Sequence, residues 1–263
     1  MKLRSSVTLV MVMALGAAPA QAQAPTTTKI AGAGGPIVIT ALGHGSVMIE
    51  SAGKVVIVDP AAMFADLSKA KPADLILVTD IHPDHYDAAA VAKLRKPKAP
   101  VVVPQAVAAD NKIPDAIVMQ NRMMRTNEEA PAGVTVITVP AYNLQRGPSA
   151  GQLYHTQGRG QGYVVGFSSM LAAIRTGKAS QVYVAGDTEC VPAMAQWVKG
   201  VDVALMPMNL PYTMTPAEAA NCVKGFLPKI AIPYHYMGQK PEEFAAALKD
   251  TKIEVRLLNW YAK

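Results

Sequence analysis

The sequence predicts an α/β fold, a four-layer αββα sandwich in which two sheets pack face to face with helices on the outside. Three observations lead there. Short runs of branched apolar residues alternate with glycine- and proline-rich turns along most of the chain. The order of strands followed by helices occurs twice. Three of the strands run directly into turns rich in aspartate and histidine. Strands followed by helices, rather than strict strand–helix alternation, fit a sandwich better than a doubly wound parallel sheet. With 51% hydrophobic and 17% charged residues the chain can bury a sizeable core and carries too little charge for disorder. Its 263 residues contain no linker and no short-period repeat, so residues 36–263 read as a single domain.

Before that domain, Lys2 and Arg4 precede an apolar run over residues 7–18, and Ala20-Gln21-Ala22 supplies a small-x-small pattern. Residues 1–22 read as a signal peptide, with Ala22-Gln23-Ala24 as a second cleavage frame. The alternative, an uncleaved anchor, suffers from a run short of the roughly 20 residues a spanning helix needs. The expected location is therefore periplasmic or secreted, with no stable membrane association after cleavage. Residues 23–35 read as a flexible, glycine-rich lead-in.

The elements follow in order. Residues 37–39, 47–50 and 55–58 read as strands of an antiparallel meander joined by glycine turns. A helical region over 63–69 precedes a buried strand at 75–78 and a turn at 79–87. Residues 88–94 are helical by propensity, 101–103 form a strand between two prolines, and 106–110 a short helix. Strands then follow at 134–139, 163–167, 181–185, 201–206, 230–232 and 254–258, with helices at 216–224 and 242–248. A glycine-rich loop over 146–162 carries His155.

The chemistry concentrates in the turn Asp80-Ile81-His82-Pro83-Asp84-His85. Four potential metal ligands stand within six residues, at the end of a strand, and Pro83 stiffens the turn. A solvated polar turn is the plain alternative. Against it, the chain has only five histidines, and besides His44, His82 and His85 the other two, His155 and His235, also sit beside turns. Imidazole and carboxylate donors together suit Zn2+, one or two ions, with Mn2+ or Fe2+ favoured as the carboxylate share rises.

These residues resemble the metallo-β-lactamase-fold hydrolase superfamily over residues 37–258. The matching motifs are Asp80-Ile81-His82-Pro83-Asp84-His85, His155, Gly186-Asp187-Thr188 and Pro233-Tyr234-His235. Pro140-Ala141-Tyr142-Asn143 and Tyr212-Thr213-Met214-Thr215 are similar to the branch containing sugar-phosphate-type (ascorbate-phosphate-type) lactonases. The resemblance implies His82 and His155 on one metal, Asp84, His85 and His235 on a second, and Asp187 bridging. Asp84 and Asp187 are then the catalytic carboxylates of a binuclear zinc hydrolase. Two such ions share a hydroxide that attacks a small ester, lactone or phosphoester. Asp80 departs from the family pattern, which has histidine there. Either Asp80 ligates through oxygen, or the first site is weak and a one-metal enzyme remains with Asp84, His85, Asp187 and His235.

Other residues carry two readings each. Asp59 is a partner that orients a ligand histidine or a strand-end cap. His44 lines the mouth of the site or is structural. Tyr212, Tyr234 and Tyr236 contact substrate or pack in the core. Cys190 and Cys222 pair or are small buried hydrophobes. The net charge of +6 comes from scattered lysines, and the one cluster, Lys93 to Lys98, lacks the interleaved aromatics of a nucleic-acid surface. The expected partner is a small-molecule substrate, not nucleic acid; the sequence leaves the oligomeric state open. The rival functions are a non-catalytic metal- or ligand-binding periplasmic protein whose first site has degenerated at Asp80, and a true β-lactamase. Asp187 speaks against the β-lactamase.

Overall fold

The computed structural model describes residues 26–113, 115–120, 123–125, 130–168, 178 and 181–261. The signal peptide read over residues 1–22 lies outside them.

Two seven-stranded sheets form the centre, with the same construction. The first contains β1 (Thr27–Ile30), β2 (Ile37–Gly43), β3 (Ser46–Ser51), β4 (Lys54–Val58), β5 (Leu75–Leu77), β6 (Val101–Val103) and β7 (Ile117–Val118), in that spatial order. The second contains β8 (Met124–Arg125), β9 (Thr135–Ala141), β10 (Gly160–Gly166), β11 (Gln181–Val184), β12 (Val203–Pro207), β13 (Ile230–Tyr234) and β14 (Glu254–Val255), again in chain order across the sheet. In each sheet the first four strands pair antiparallel and the rest parallel. Parallel pairing requires crossovers, and these are where the helices lie. They are α1 (Ala88–Leu94) and α2 (Gln105–Ala108) in the first half, and α3 (Pro192–Trp197), α4 (Pro216–Phe226) and α5 (Pro241–Leu248) in the second.

Three layers of buried side chains account for the four-layer sandwich. Ile39, Ile49, Val58 and Leu77 of the first sheet meet Val136, Tyr163, Val184 and Leu205 of the second. On the outer face of the first sheet, Ile57, Ile76 and Val101 pack with Val91 and Leu94 of α1. On the outer face of the second, Tyr183, Ala204 and Ala231 pack with Val223 and Phe226 of α4 and Phe244 of α5. Central strands are buried on both faces, which explains why they read as continuous apolar runs.

Several local expectations need correction. The lead-in is not featureless, because Thr27–Ile30 pairs with β2 as an edge strand. The helical region over 63–69 reduces to one 3-10 turn at Leu67–Lys69, capped by Asp66, and Met63 and Phe64 are exposed. Residues 254–258 supply only a two-residue strand. Helix α3 and the short strands β7 and β8 carry too few apolar repeats to stand out in sequence.

Candidate metal centre

Most of the candidate site residues lie just beyond strand ends, while His155 comes from the loop between β9 and β10. Asp59 follows β4, the Thr79–His85 turn follows β5, Asp187 follows β11 and His235 follows β13. His44 caps the β2–β3 turn. His44, Asp59 and His235 adopt left-handed backbone conformations, with φ of 49°, 51° and 48°. Such geometry costs non-glycine residues of order 1 kcal/mol each and is characteristic of functional sites.

Asp59 is fully buried and accepts three hydrogen bonds, from the Thr79 backbone N–H (2.7 Å), the Thr79 hydroxyl (2.6 Å) and His85 Nδ1 (2.7 Å). A carboxylate only accepts, so Nδ1 of His85 carries a proton towards Asp59 and Nε2 is the nitrogen directed at the site. Burial works against charge on His85, but the carboxylates of Asp187 and Asp59 outweigh it and hold its pKa well above the ordinary value. Asn143 treats His155 the same way, its Oδ1 lying 2.6 Å from Nδ1 and accepting the His155 backbone N–H at 2.9 Å. Asn143 is fixed in turn by donating to the Tyr212 carbonyl at 2.8 Å.

The acceptor atoms converge. Asp187 Oδ2 lies 3.2 Å from Nε2 of both His85 and His155, and Oδ1 lies 3.7 Å from His235 Nε2. Asp84 Oδ2 lies 3.4 Å from His235 Nε2. Burial opposes ionisation of both carboxyls, yet the surrounding imidazoles hold Asp187 and Asp84 well below the usual range. His85 Nε2, both ring nitrogens of His235 and Asp187 Oδ1 are buried without a properly formed hydrogen bond. Buried polar atoms rarely stay unsatisfied. A divalent ion held by His85, Asp187 and His235, with Asp84 alongside, would satisfy all of these except the second ring nitrogen of His235, so these residues fit the metal that the ligand pattern implies.

His44 plays a different part. Its Nε2 lies 3.2 Å from Asp84 Oδ2 and its Nδ1 2.8 Å from the Tyr261 hydroxyl. Burial lowers the His44 pKa, and a neutral imidazole that donates to Asp84 and accepts from Tyr261 orients the carboxylate. Gly45 leaves little room beside it: a Cβ there would approach His235 to 3.1 Å and His85 to 3.3 Å, pressing on both rings.

The second cluster, Asp80, His82 and His155, also brings three donor atoms together. It already contains a cation. Arg159 Nη2 lies 3.1 Å from Asp80 Oδ1 and 2.5 Å from His82 Nε2. His82 is the most exposed of the candidate imidazoles, and its pKa is lowered by burial.

Above the ligands opens a cavity of about 530 Å³. His82, Asp84, His155 and Asp187 line its floor, and Met63, Phe64, Leu210, Pro211, Tyr212 and Met237 its walls. Tyr212 is thus part of the cavity wall. Tyr234 is not: it is fully buried in the core and its hydroxyl accepts the Gly186 N–H at 2.9 Å, which sets the loop bearing Asp187. Tyr236 donates to the Leu258 carbonyl and packs against the core. Cys190 and Cys222 form a disulfide that ties the segment after Asp187 to α4. Asn143, Gly45 and Arg159 were not singled out from sequence. Asn143 had a signal, standing in a strand-end phrase of the family pattern, whereas Arg159 had none, because the burial of Asp80 that demands a cation emerges only in the fold.

A sandwich of two similarly built sheets with histidines and aspartates gathered at one edge defines a class, the metal-dependent hydrolases of the metallo-β-lactamase fold. A sequence model of the beta-lactamase superfamily domain matches residues 55–236, and the chain belongs to that family. It is 32% identical over 230 residues to a UPF0173 metal-dependent hydrolase of Thermococcus kodakarensis, a match covering 82% of this chain and 94% of the relative. A second UPF0173 metal-dependent hydrolase, from Pyrococcus horikoshii, is 30% identical over 231 residues, 82% of this chain and 94% of its own. Among solved structures, a chain from Parabacteroides distasonis described as a metal-dependent hydrolase is 33% identical with a TM-score of 0.75, covering 89% of this chain and 99% of that one.

Proposed function

We infer that the mature chain is an exported hydrolase of a small neutral ester or lactone, working through water activated by a divalent metal ion, with zinc the best fit. The observation that carries this reading is the set of buried, unsatisfied polar atoms on His85, His235 and Asp187, of which Asp187 also lines the open cavity. His85, Asp187 and His235 would hold the ion there, and it would supply Lewis-acid chemistry for hydrolysis.

The chain's own residues do the rest. Asp59 and Asn143 fix the tautomers of His85 and His155. His44 holds Asp84 in place, and Asp84 and Asp187 stand within reach of any proton released at the floor. Among the described residues lining the cavity none is lysine or arginine, and the walls are apolar and aromatic. That lining favours a neutral substrate over a phosphoester. The disulfide suits an oxidising compartment and so supports export.

The second reading, a non-catalytic metal-binding protein, is favoured by the arginine standing at the Asp80–His82–His155 cluster. Assays of the zinc-loaded protein against p-nitrophenyl esters, small lactones and a phosphodiester, beside Asp187→Ala, separate the two. Turnover of an ester or lactone that Asp187→Ala lowers at least 100-fold supports the hydrolase. Bound metal without turnover supports the binding protein.

A further inference from the structure

We propose that Arg159 has taken the place of one of two metal ions, so that the centre is built for a single divalent ion beside a fixed guanidinium. This rests on the metal-dependent reading above. The residues at the Asp80–His82–His155 cluster do not fit a second ion as they stand. Asp80 is buried and its Oδ1 accepts the His82 backbone N–H at 3.1 Å and Arg159 Nη2 at 3.1 Å, while Oδ2 lies 3.4 Å from Arg159 Nε. The same Nη2 abuts His82. Two of the three donor groups therefore already face a cation.

The backbone enforces this placement. The Gln161 N–H donates to the Thr79 carbonyl at 2.9 Å, stitching the start of β10 to the end of β5. Gly160 lies so close that a Cβ would stand 2.7 Å from Asp80 Oδ2. Arg159 is therefore delivered onto Asp80 by the chain on either side of it. A short carboxylate where a longer imidazole is usual is also what a guanidinium needs, since it accepts two N–H groups in one plane.

Charge supports the same conclusion. Asp80 and Arg159 cancel one another, and Asp84 and Asp187 offset one divalent ion. The floor is left with no surplus positive charge, in keeping with a neutral substrate. A buried carboxylate without Arg159 would instead need a second ion to neutralise it.

The test is a titration of the full metal-free protein with Zn2+, counting ions per chain by elemental analysis, and in parallel with Co2+, following its visible absorption. Wild type is expected to bind one ion. Arg159→Ala and Arg159→Gln are each expected to bind a second, with a new Co2+ band, and Asp80→His combined with Arg159→Ala to bind two. Thermal melts confirm that each variant is folded, and the glutamine variant covers the case in which the alanine variant fails to fold. Two ions in wild type would overturn the proposal while leaving the metal-dependent reading intact. So would one ion in both folded arginine variants. No ion in any protein would overturn the metal-dependent reading itself.

Discussion

At the scale of single residues, the site depends on groups that never touch a substrate. Asp59 is the clearest, because its one carboxylate decides which nitrogen of His85 is free and locks Thr79 at the start of the ligand turn. Replacing it by asparagine keeps the volume and loses the charge that holds the Nδ1 proton. Asp59→Asn is expected to weaken Zn2+ binding about 10- to 100-fold, read by competition with a chromophoric chelator, with the far-UV spectrum unchanged. Unaltered affinity would make Asp59 the strand-end cap of the alternative reading. The candidate ligands were legible in sequence because their types and order carry chemistry. Arg159 was not, because nothing local marks which of 25 lysines and arginines will reach a carboxylate 79 positions away. Of the two readings open for Tyr234, packing in the core holds: it closes β13 fully buried, while His235 lies beyond the strand on a left-handed backbone.

At the scale of elements, the loop carrying Asp187 is held from several sides. Glu189 accepts the N–H groups of Leu144 and Gln145 and pairs with Arg146, which reaches on to Glu218 at the first turn of α4. Glu218 also completes a capping box with Thr215. Burial would raise the Glu218 pKa, but Arg146 and the Thr215 backbone N–H hold it below the ordinary value of 4.5. A depressed folded-state pKa stabilises above the unfolded value and is lost as pH falls through the folded one. Glu218→Gln, which keeps the capping box, is therefore expected to cost only about 0.5 kcal/mol at pH 7, because the exposed ion pair with Arg146 is screened by solvent, measured by urea unfolding, and the gap to wild type should close as pH falls below 4.5. A gap that persists at low pH would assign the effect to packing instead. The disulfide closes a separation of 32 residues between this loop and α4. Its loss in Cys190→Ser should cost about 3–4 kcal/mol, with reductant destabilising wild type and not the variant. The cysteine spacing alone could not foresee this pairing, which depends on α4 packing back against the second sheet.

At the scale of the whole molecule, two sheets of the same construction explain both what sequence could and could not disclose. Central strands, buried on both faces, announced themselves as apolar runs, and the repeated order of strands then helices gave the layers. The edges did not: β1, β7, β8 and β14 are short or half-exposed, and their pairing follows from neighbours already in place. Because the two halves are alike, their strand ends meet at one edge, and candidate ligands from Asp84 to His235 converge on a site that no single segment contains. The central claim is that this convergence is a metal centre that does hydrolysis. The measurement that tests it most directly is ester or lactone turnover by the same sample before chelation, after dialysis against a chelator, and after addition of Zn2+ in measured steps. Activity lost on chelation and restored in proportion to Zn2+ up to one ion per chain is the predicted result. Turnover that survives in metal-free protein would contradict it.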